Sequence, residues 1–337
     1  MLNTLKNLCT LNGTSGDEKS VRDYILKQIK PYAECTVDKS GNIIAQKRGK
    51  KASAVKLMVD AHMDEVGIIV CAITNDGFLK FKTVGGIKES VLLCRKVTIN
   101  GSVHGVIGCK PIHLCSAEEI KKCPKEDALY IDIGASNREE AEGMVNIGDF
   151  GVLDGAFEIM GDHCFKAKAI DDRAGCAVLI ELLKQNSDYD FYATFTVQEE
   201  VGCRGAKTAA YTVNPDVAIV LEATTAADIN GVPAEKQVCK LGGGAAVSFM
   251  DGGTLYNRSL YNCAMNSGIP CQPKAGTTGG NNAGGIHLTR SGVKTLALSI
   301  PCRYIHSPSC MADRRDLESL YNLSRFMINK ICSGEVK

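Results

Sequence analysis

Four short apolar runs set the frame for this chain: Ala54–Asp60 (AVKLMVD), Phe191–Gln198 (FYATFTVQ), Val217–Leu221 (VAIVL) and Val293–Ile300 (VKTLALSI). Each has the length of one buried strand. Helical patterns lie between and after them. Asp171-Asp172-Arg173-Ala174-Gly175 opens one that carries Ala177, Val178, Leu179, Leu182 and Leu183, another falls near Gly205–Ala210, and a last begins at about Asp316. Strands alternating with helices predict an α/β layered fold. Ahead of them, Leu2, Leu5, Leu8 and Leu11 recur at near-helical spacing until Gly13-Thr14-Ser15-Gly16 breaks the pattern. Ser15–Glu18 has the form of a capping box leading into a second helix faced by Val21, Tyr24, Ile25 and Ile29. Thr36–Val37 and Asn42–Gln46 read as strands around the turn Asp38–Gly41.

The alternation is interrupted from about Gly67 to Phe157. Asn75-Asp76-Gly77 and Asn100-Gly101 are hairpin signals, and Ala128–Ile133 and Val145–Ile147 read as short strands. Only Ala117–Lys122 and Asn137–Glu142 read as helix there. The expected organisation is therefore a discontinuous α/β domain, residues 1–66 and 158–337, with a β-rich domain, residues 67–157, inserted between its parts. The Gly-rich section around 242–285 reads as loops.

Charge excludes some partners. With 39 basic and 38 acidic residues and a net charge of +1, there is no electrostatic case for nucleic acid or a membrane surface. Apolar runs such as Ile68–Ile73 are too short to span a bilayer, and Met1–Tyr32 has no apolar signal core. The sixteen cysteines are scattered and form no CxxC pair, which predicts reduced thiols and a cytoplasmic location.

The chemistry gathers where the strands end. The first run leads to His62 and Asp64, the second to Glu199-Glu200, the third to Glu222, and the fourth to Pro301–His306; Asp171-Asp172 stands ahead of the long helix. In open α/β sheets the ligand crevice lies outside the carboxyl ends of the strands, so these segments are expected at one rim. Taken singly, each is ordinary: an HxD, a helix cap, a solvated strand end. Taken together, buried carboxylates this close would repel strongly without cations among them. Imidazoles and carboxylates suit zinc, cobalt or manganese. Two such ions need a shared carboxylate, roughly two further protein ligands each, and a base, and the inventory fills those places. The residues alone leave open an aminopeptidase, a carboxypeptidase or N-acyl deacylase using the same metals, or a glycoside hydrolase. The last needs one carboxylate pair and leaves His62 and His306 without a purpose. A metal-stabilised scaffold leaves Glu199 unused. His104, His113, His163 and His287 read as structural.

VDAHMDEVG (Val59–Gly67), AIDDRAG (Ala169–Gly175), VQEEVGCRGA (Val197–Ala206), LEATTAADI (Leu221–Ile229) and IPCRYIHSP (Ile300–Pro308) resemble the tetrahedral aminopeptidase family. These are dinuclear metallopeptidases that include the glutamyl aminopeptidases, and some members carry endoglucanase names. GVIGCKPIHL (Gly105–Leu114) and ALYIDIGASNREEAEGM (Ala128–Met144) resemble that family's inserted domain. The resemblance implies a mixed-sheet catalytic domain of zinc-peptidase type, an inserted β-rich domain that makes dimer contacts, and a dodecameric homo-oligomer acting on short peptides. It implies two divalent metal ions per subunit (zinc or cobalt, with manganese as an alternative). His62, Asp171 and Glu222 would hold one and Asp171, Glu200 and His306 the other. It implies Glu199 as general base, Asp64 orienting His62, and a cis peptide bond between Asp171 and Asp172. Two positions depart from the family pattern: Asn281-Asn282 stands where Thr-Asp is usual, and Glu222 stands where many relatives have Asp.

Overall fold

The computed structural model describes residues 1–336. Helix α1 (Leu2–Thr10) buries Leu5 and Leu8, and α2 (Lys19–Ile29) buries Val21, Ile25 and Ile29, a single stripe at helical spacing. The capping box expected ahead of α2 does not form. Ser15 Oγ instead donates to Asp64 at 2.6 Å, and the Glu18 carboxylate accepts from the amides of Gly16 (2.8 Å) and Gln198 (3.2 Å). A bond to a buried carboxylate is stronger than a neutral one, and it draws this hydroxyl to Asp64. Strands β1 (Glu34–Val37) and β2 (Ile43–Lys47) form a hairpin, followed by β3 (Leu57–His62), which is buried at every position.

The chain then forms a closed antiparallel barrel: β4 (Gly67–Ile73), β5 (Leu79–Val84), α3 (Glu89–Leu92), β6 (Lys96–Ile99), β7 (Val103–Gly108), β8 (Tyr130–Asp132), α4 (Arg138–Glu142) and β9 (Phe150–Leu153), in strand order β4-β5-β8-β7-β6-β9. Alternate residues point inward, and Ile68, Val70, Leu79, Phe81, Ile99 and Ile131 form a core separate from the main one. Asn137 caps α4 by accepting from the Glu140 amide at 3.0 Å. Two expectations fail here. Residues 117–122 form turns, with Ile120 54% exposed: the apolar residues have no neighbouring face to cover, and a short helix does not hold without one. Residues 145–147 lead into a turn around Gly148 (φ 94°), and the strand begins at Phe150.

Past the barrel come β10 (Glu158–Met160), β11 (Cys164–Ala167), α5 (Ile170–Lys184), β12 (Phe191–Thr196), α6 (Arg204–Val213), β13 (Val217–Thr225), β14 (Ala245–Ser248), α7 (Arg258–Met265), β15 (Cys271–Lys274), α8 (Ala283–Ile286), β16 (Lys294–Arg303), β17 (Cys310–Asp313) and α9 (Arg314–Cys332). The main sheet runs β1-β2-β12-β3-β13-β16-β17-β11-β10, with β14 and β15 branching from β16. Its four central strands, β12, β3, β13 and β16, are parallel, and the flanking pairs are antiparallel, so the sheet is mixed. The register sets Thr196 beside His62 and Glu222 beside Ser299. Helix α5 packs on β3 and β13, and α9 on β16. The stretch around 242–285 contains β14, α7 and β15 where loops were expected. Strands of four residues built from Ala, Pro and Gln have little intrinsic preference, and pairing with β16 supplies what propensity does not.

Candidate active site

Strand ends deliver most of the rim. His62 is the last residue of β3, Glu222 lies within β13, Asp171 stands in the first turn of α5, and Glu199-Glu200 and His306 follow β12 and β16. Left-handed backbone at Gln198 (φ 57°), Tyr304 (φ 58°) and His306 (φ 56°) turns the chain at the two strand exits.

Asp171 is the centre. Its Oδ1 lies 3.3 Å from His62 Nε2, and its Oδ2 lies 3.4 Å from His306 Nε2. Glu222 Oε2 is 3.6 Å from the same nitrogen of His62, and Glu200 Oε2 is 3.3 Å from that of His306. The opposite ring nitrogens are anchored. His62 Nδ1 faces the Asp64 carbonyl (3.1 Å) and carboxylate (3.4 Å), and His306 Nδ1 faces the Gly86 carbonyl at 2.9 Å. A carbonyl only accepts, so each Nδ1 carries a proton and each Nε2 is the nitrogen available to a ligand. Gly86 belongs to the loop after β5, so the barrel itself orients a rim histidine.

Asp64 does more than face His62. Fully buried, it accepts from Ser15 Oγ and from the amides of Glu199 (3.0 Å) and Glu200 (3.1 Å). One carboxylate thus pins both adjacent glutamates by their backbone, leaving their side chains to separate surroundings. Glu200 turns to His306, while Glu199 Oε1 accepts from the Cys203 thiol at 3.5 Å. The Asp171–Asp172 peptide is cis. Asp172 points inward and accepts from the amides of Gly175 (2.9 Å) and His62 (3.3 Å).

Electrostatics at the rim are crowded. Burial, and after it neighbouring carboxylates, pushes Glu200 up to about 8, raises Glu199, and carries Glu222 and Asp172 well above their ordinary values. Burial acts the same way on Asp171, but the two imidazoles outweigh it and hold that carboxyl low. Burial pulls both histidines down, yet Asp171 and its neighbours leave His62 well above the imidazole range and His306 at about 10. Glu222 Oε1 is buried without a hydrogen-bond partner. Two trios, His62-Asp171-Glu200 and His62-Asp172-Glu222, bring their donor atoms within 4.8 Å of one another. Mixed nitrogen and oxygen donors, mutual repulsion and an orphaned carboxylate oxygen are what divalent cations would resolve, so the residues fit such ions.

The rim opens into a cleft of about 480 Å³, whose other wall includes Thr224, Val238, Lys274, Gly276 and Thr278. Sequence reasoning gave Ser15 a capping role instead of a place under the rim, gave Cys203 no role although it falls within Val197–Ala206, and did not reach Gly86 or Lys274; Gly85-Gly86 hints only at a turn. The remaining histidines stay away from the rim: His104 meets Thr98, His163 meets Arg314, His287 bonds the Ala283 carbonyl, and His113 is exposed. Arg303 pairs with Asp228 at 2.7 and 2.8 Å.

A mixed sheet with imidazoles and carboxylates massed at the carboxyl ends of its parallel strands, joined to a closed barrel, defines a protein whose site is suited to holding divalent cations. Residues 41–323 match the model of the M42 glutamyl aminopeptidases, and the chain belongs to that family. It is 38% identical to a putative aminopeptidase of Acetivibrio thermocellus over 98% of both chains. It is 35% identical to the lysyl aminopeptidase of Pyrococcus furiosus, over 97% of this chain and 96% of that one. Among solved structures, an aminopeptidase of Desulfurococcus kamchatkensis superposes with a TM-score of 0.93 at 36% identity, covering 97% of this chain and 94% of that one. The TET1 peptidase of Pyrococcus horikoshii, which can assemble into a tetrahedron or a large octahedral shell, superposes with a TM-score of 0.84 at 33% identity, covering 97% and 98%.

Proposed function

We propose that the protein is a metal-dependent aminopeptidase that removes N-terminal residues from short peptides, with Glu199 as the general base. The observation that carries this reading is the division of Asp171, one oxygen to each of two histidines whose Nδ1 atoms are already engaged. His62, Asp171 and Glu222 would hold one divalent ion, and Asp171, Glu200 and His306 a second; zinc, cobalt and manganese all suit such donors. Bound there, the ions supply Lewis-acid activation of water and of the scissile carbonyl.

The chain's own residues then divide the work. Glu200 is committed to the rim, which leaves Glu199 free to exchange a proton. Glu199 takes that proton from the attacking water and returns it to the departing amine, and burial raises its affinity for the proton toward what a reversible base at neutral pH needs. Asp64 holds the backbone of Glu199 and the ring of His62 together, so base and ligand keep one geometry. The surplus carboxylates attract a free α-amino group, which favours substrates that end there and makes the enzyme an exopeptidase.

A structural neighbour 33% identical to this chain was solved as a dodecamer, and the Pyrococcus horikoshii relative can form a tetrahedron or a large octahedral shell; both support a homo-oligomer here, which we take to be a dodecamer. We place the inserted domain at residues 67–157, between the catalytic pieces 1–66 and 158–337, and assign it contacts between copies; Ile112 and Leu114, 71% and 60% exposed on the barrel, suit such a surface. All sixteen cysteines are free thiols, which suits a reducing cytoplasm. Among the described residues no helix is long and apolar enough to cross a membrane.

The test is hydrolysis of matched free and N-acetylated aminoacyl substrates, with metal and then with chelator. Cleavage of the free-amine set alone, abolished by chelator and restored by zinc or cobalt, is expected. Turnover of acetylated substrates, or indifference to chelator, would remove this reading.

A further inference from the structure

Thiols in this chain mostly hydrogen-bond to backbone carbonyls, as Cys176 does to that of His62 (3.1 Å) and Cys239 to that of Thr225 (3.7 Å). Cys203 differs. Among the described residues it is the one thiol that donates to a carboxylate, Glu199 Oε1 at 3.5 Å. Its backbone serves the same residue: the amides of Gly202 (2.8 Å) and Cys203 (2.9 Å) both donate to the Glu199 carbonyl, closing a turn ahead of α6. Cys203 holds left-handed backbone there (φ 53°), which a residue with a Cβ adopts rarely and keeps where its surroundings fix it. Cys203 and Glu199 both line the cleft.

Asp64 fixes the backbone of Glu199 but not its carboxylate, which sits at the end of a long side chain with rotamer freedom to lose. Among the described residues no group other than Cys203 donates to that carboxylate, so Oε1 is held and Oε2 takes no hydrogen bond from the chain. We propose that Cys203 is a positioning residue for the peptidase reaction. Its thiol holds Glu199 Oε1, so that Oε2 is the oxygen that takes the proton of the attacking water and returns it to the departing amine. This assignment rests on the aminopeptidase reading, with Glu199 as its base. A carboxylate only accepts, so the thiol keeps its proton and supplies no nucleophile. Being a weak donor, it orients the base without tying up the charge that must receive the proton. A carboxylate left to rotate would lose the near-attack geometry on which its contribution depends.

Cys203→Ala and Cys203→Ser, each alone and combined with Glu199→Gln, test this on the metal-loaded enzyme with the best cleaved of the Leu, Glu and Lys p-nitroanilides. Taking kcat per metal-loaded site keeps a partly misfolded preparation from disturbing the comparison. Cys203→Ala should lower kcat about tenfold with KM and bound metal unchanged. Cys203→Ser, which restores a donor, should return kcat to within about threefold of wild type. A merely structural thiol would give a loss that adds to that of Glu199→Gln. Acting through the base, Cys203→Ala should cost less than about twofold in the Glu199→Gln background. Wild-type kcat in Cys203→Ala, or Cys203→Ser no better than Cys203→Ala, overturns the assignment while leaving Glu199 as the base. A loss confined to KM or bound metal, or the same fold-loss in both backgrounds, does so too. Near-full activity in Glu199→Gln removes the base and this assignment with it, and no cleavage of any anilide defeats the aminopeptidase reading itself.

Discussion

The side-chain amide of Asn282 donates to the carboxylate of Asp60 across 2.7 Å, joining two buried residues 222 positions apart. Asn282 also donates to Thr196 Oγ1 at 2.8 Å, and Thr194 Oγ1 donates to Asp60 at 2.6 Å. The network lies beneath the rim: Asp60 precedes His62 on β3, and Asn282 follows Gly279-Gly280 of the cleft wall. Asn282, which departs from the family's usual Asp, is therefore the amide that satisfies a carboxylate carried by the neighbouring strand.

Asn282→Asp should set two buried carboxylates against each other. Burial already pushes Asp60 up to about 6, and a second carboxylate raises the cost of ionising either. The variant should lose about 2–4 kcal/mol at pH 8 and less at pH 5, where one proton is shared. Adding Asp60→Asn should recover part of the loss. Urea unfolding at both pH values reads this, and equal destabilisation at pH 5 and pH 8 would refute the buried-pair account.

Glu199→Gln should keep metal and lose turnover by roughly 100-fold to 10,000-fold, the span of general-base contributions. Asp171→Ala, which removes both oxygens facing the two histidines, should lose metal as well. Metal analysis of the purified variants beside their kcat separates the two roles. Near-full activity in Glu199→Gln would mean that another group carries the proton.

Metal binding should release protons. Burial pulls His306 down, but Asp171 and Glu200 raise it to about 10 in the metal-free protein. A folded-state value above the unfolded one makes that contribution to stability complete below the ordinary imidazole value, and it is lost as pH rises through about 10. The metal-free protein should therefore lose thermal stability between neutral pH and pH 10 more steeply than a His306→Gln variant. Affinity for zinc should rise over the same interval, because the ion displaces the proton. Proton uptake, or no proton change, on adding zinc near neutral pH would contradict this.

Arg173 is fully buried and reaches three parts of the chain: the Met63 carbonyl (2.8 Å), the Leu8 carbonyl (2.6 Å) and Glu65 (3.1 Å). Arg173→Met should cost about 3–5 kcal/mol by leaving Glu65 with Lys168 as its one remaining cationic partner and α1 without its tie to the end of β3. A shift of a few degrees or less in the melting temperature would show that the ties are redundant.

Several elements were legible because their signals are local. The strand leading to His62, the helix after Asp171-Asp172 and the strand before Glu199 carry apolar runs of the right length, and the helices α1 and α2 carry helical spacing. The three shortest additions to the sheet's far edge, β10, β11 and β17, were not legible, because three or four residues hold too little pattern and their pairing partners lie elsewhere. The Ser15 hydroxyl was misassigned for a related reason. Its sequence neighbours suggest a cap, and its spatial neighbour, Asp64, outcompetes them.

The alternation of strands and helices, the β-rich interruption and the residue types that fall at the strand ends are all readable along the chain. Those follow from periodicity and from the rule that places ligands at the carboxyl ends of parallel strands. It took the folded chain to show that the Gly86 carbonyl of the barrel fixes the proton on His306, that Asp60 and Asn282 complete each other, and that one buried carboxylate, Asp64, holds the backbone of both Glu199 and Glu200. Hydrogen bonding and burial depend on distances between segments far apart along the chain, and no local pattern records a partner that far away.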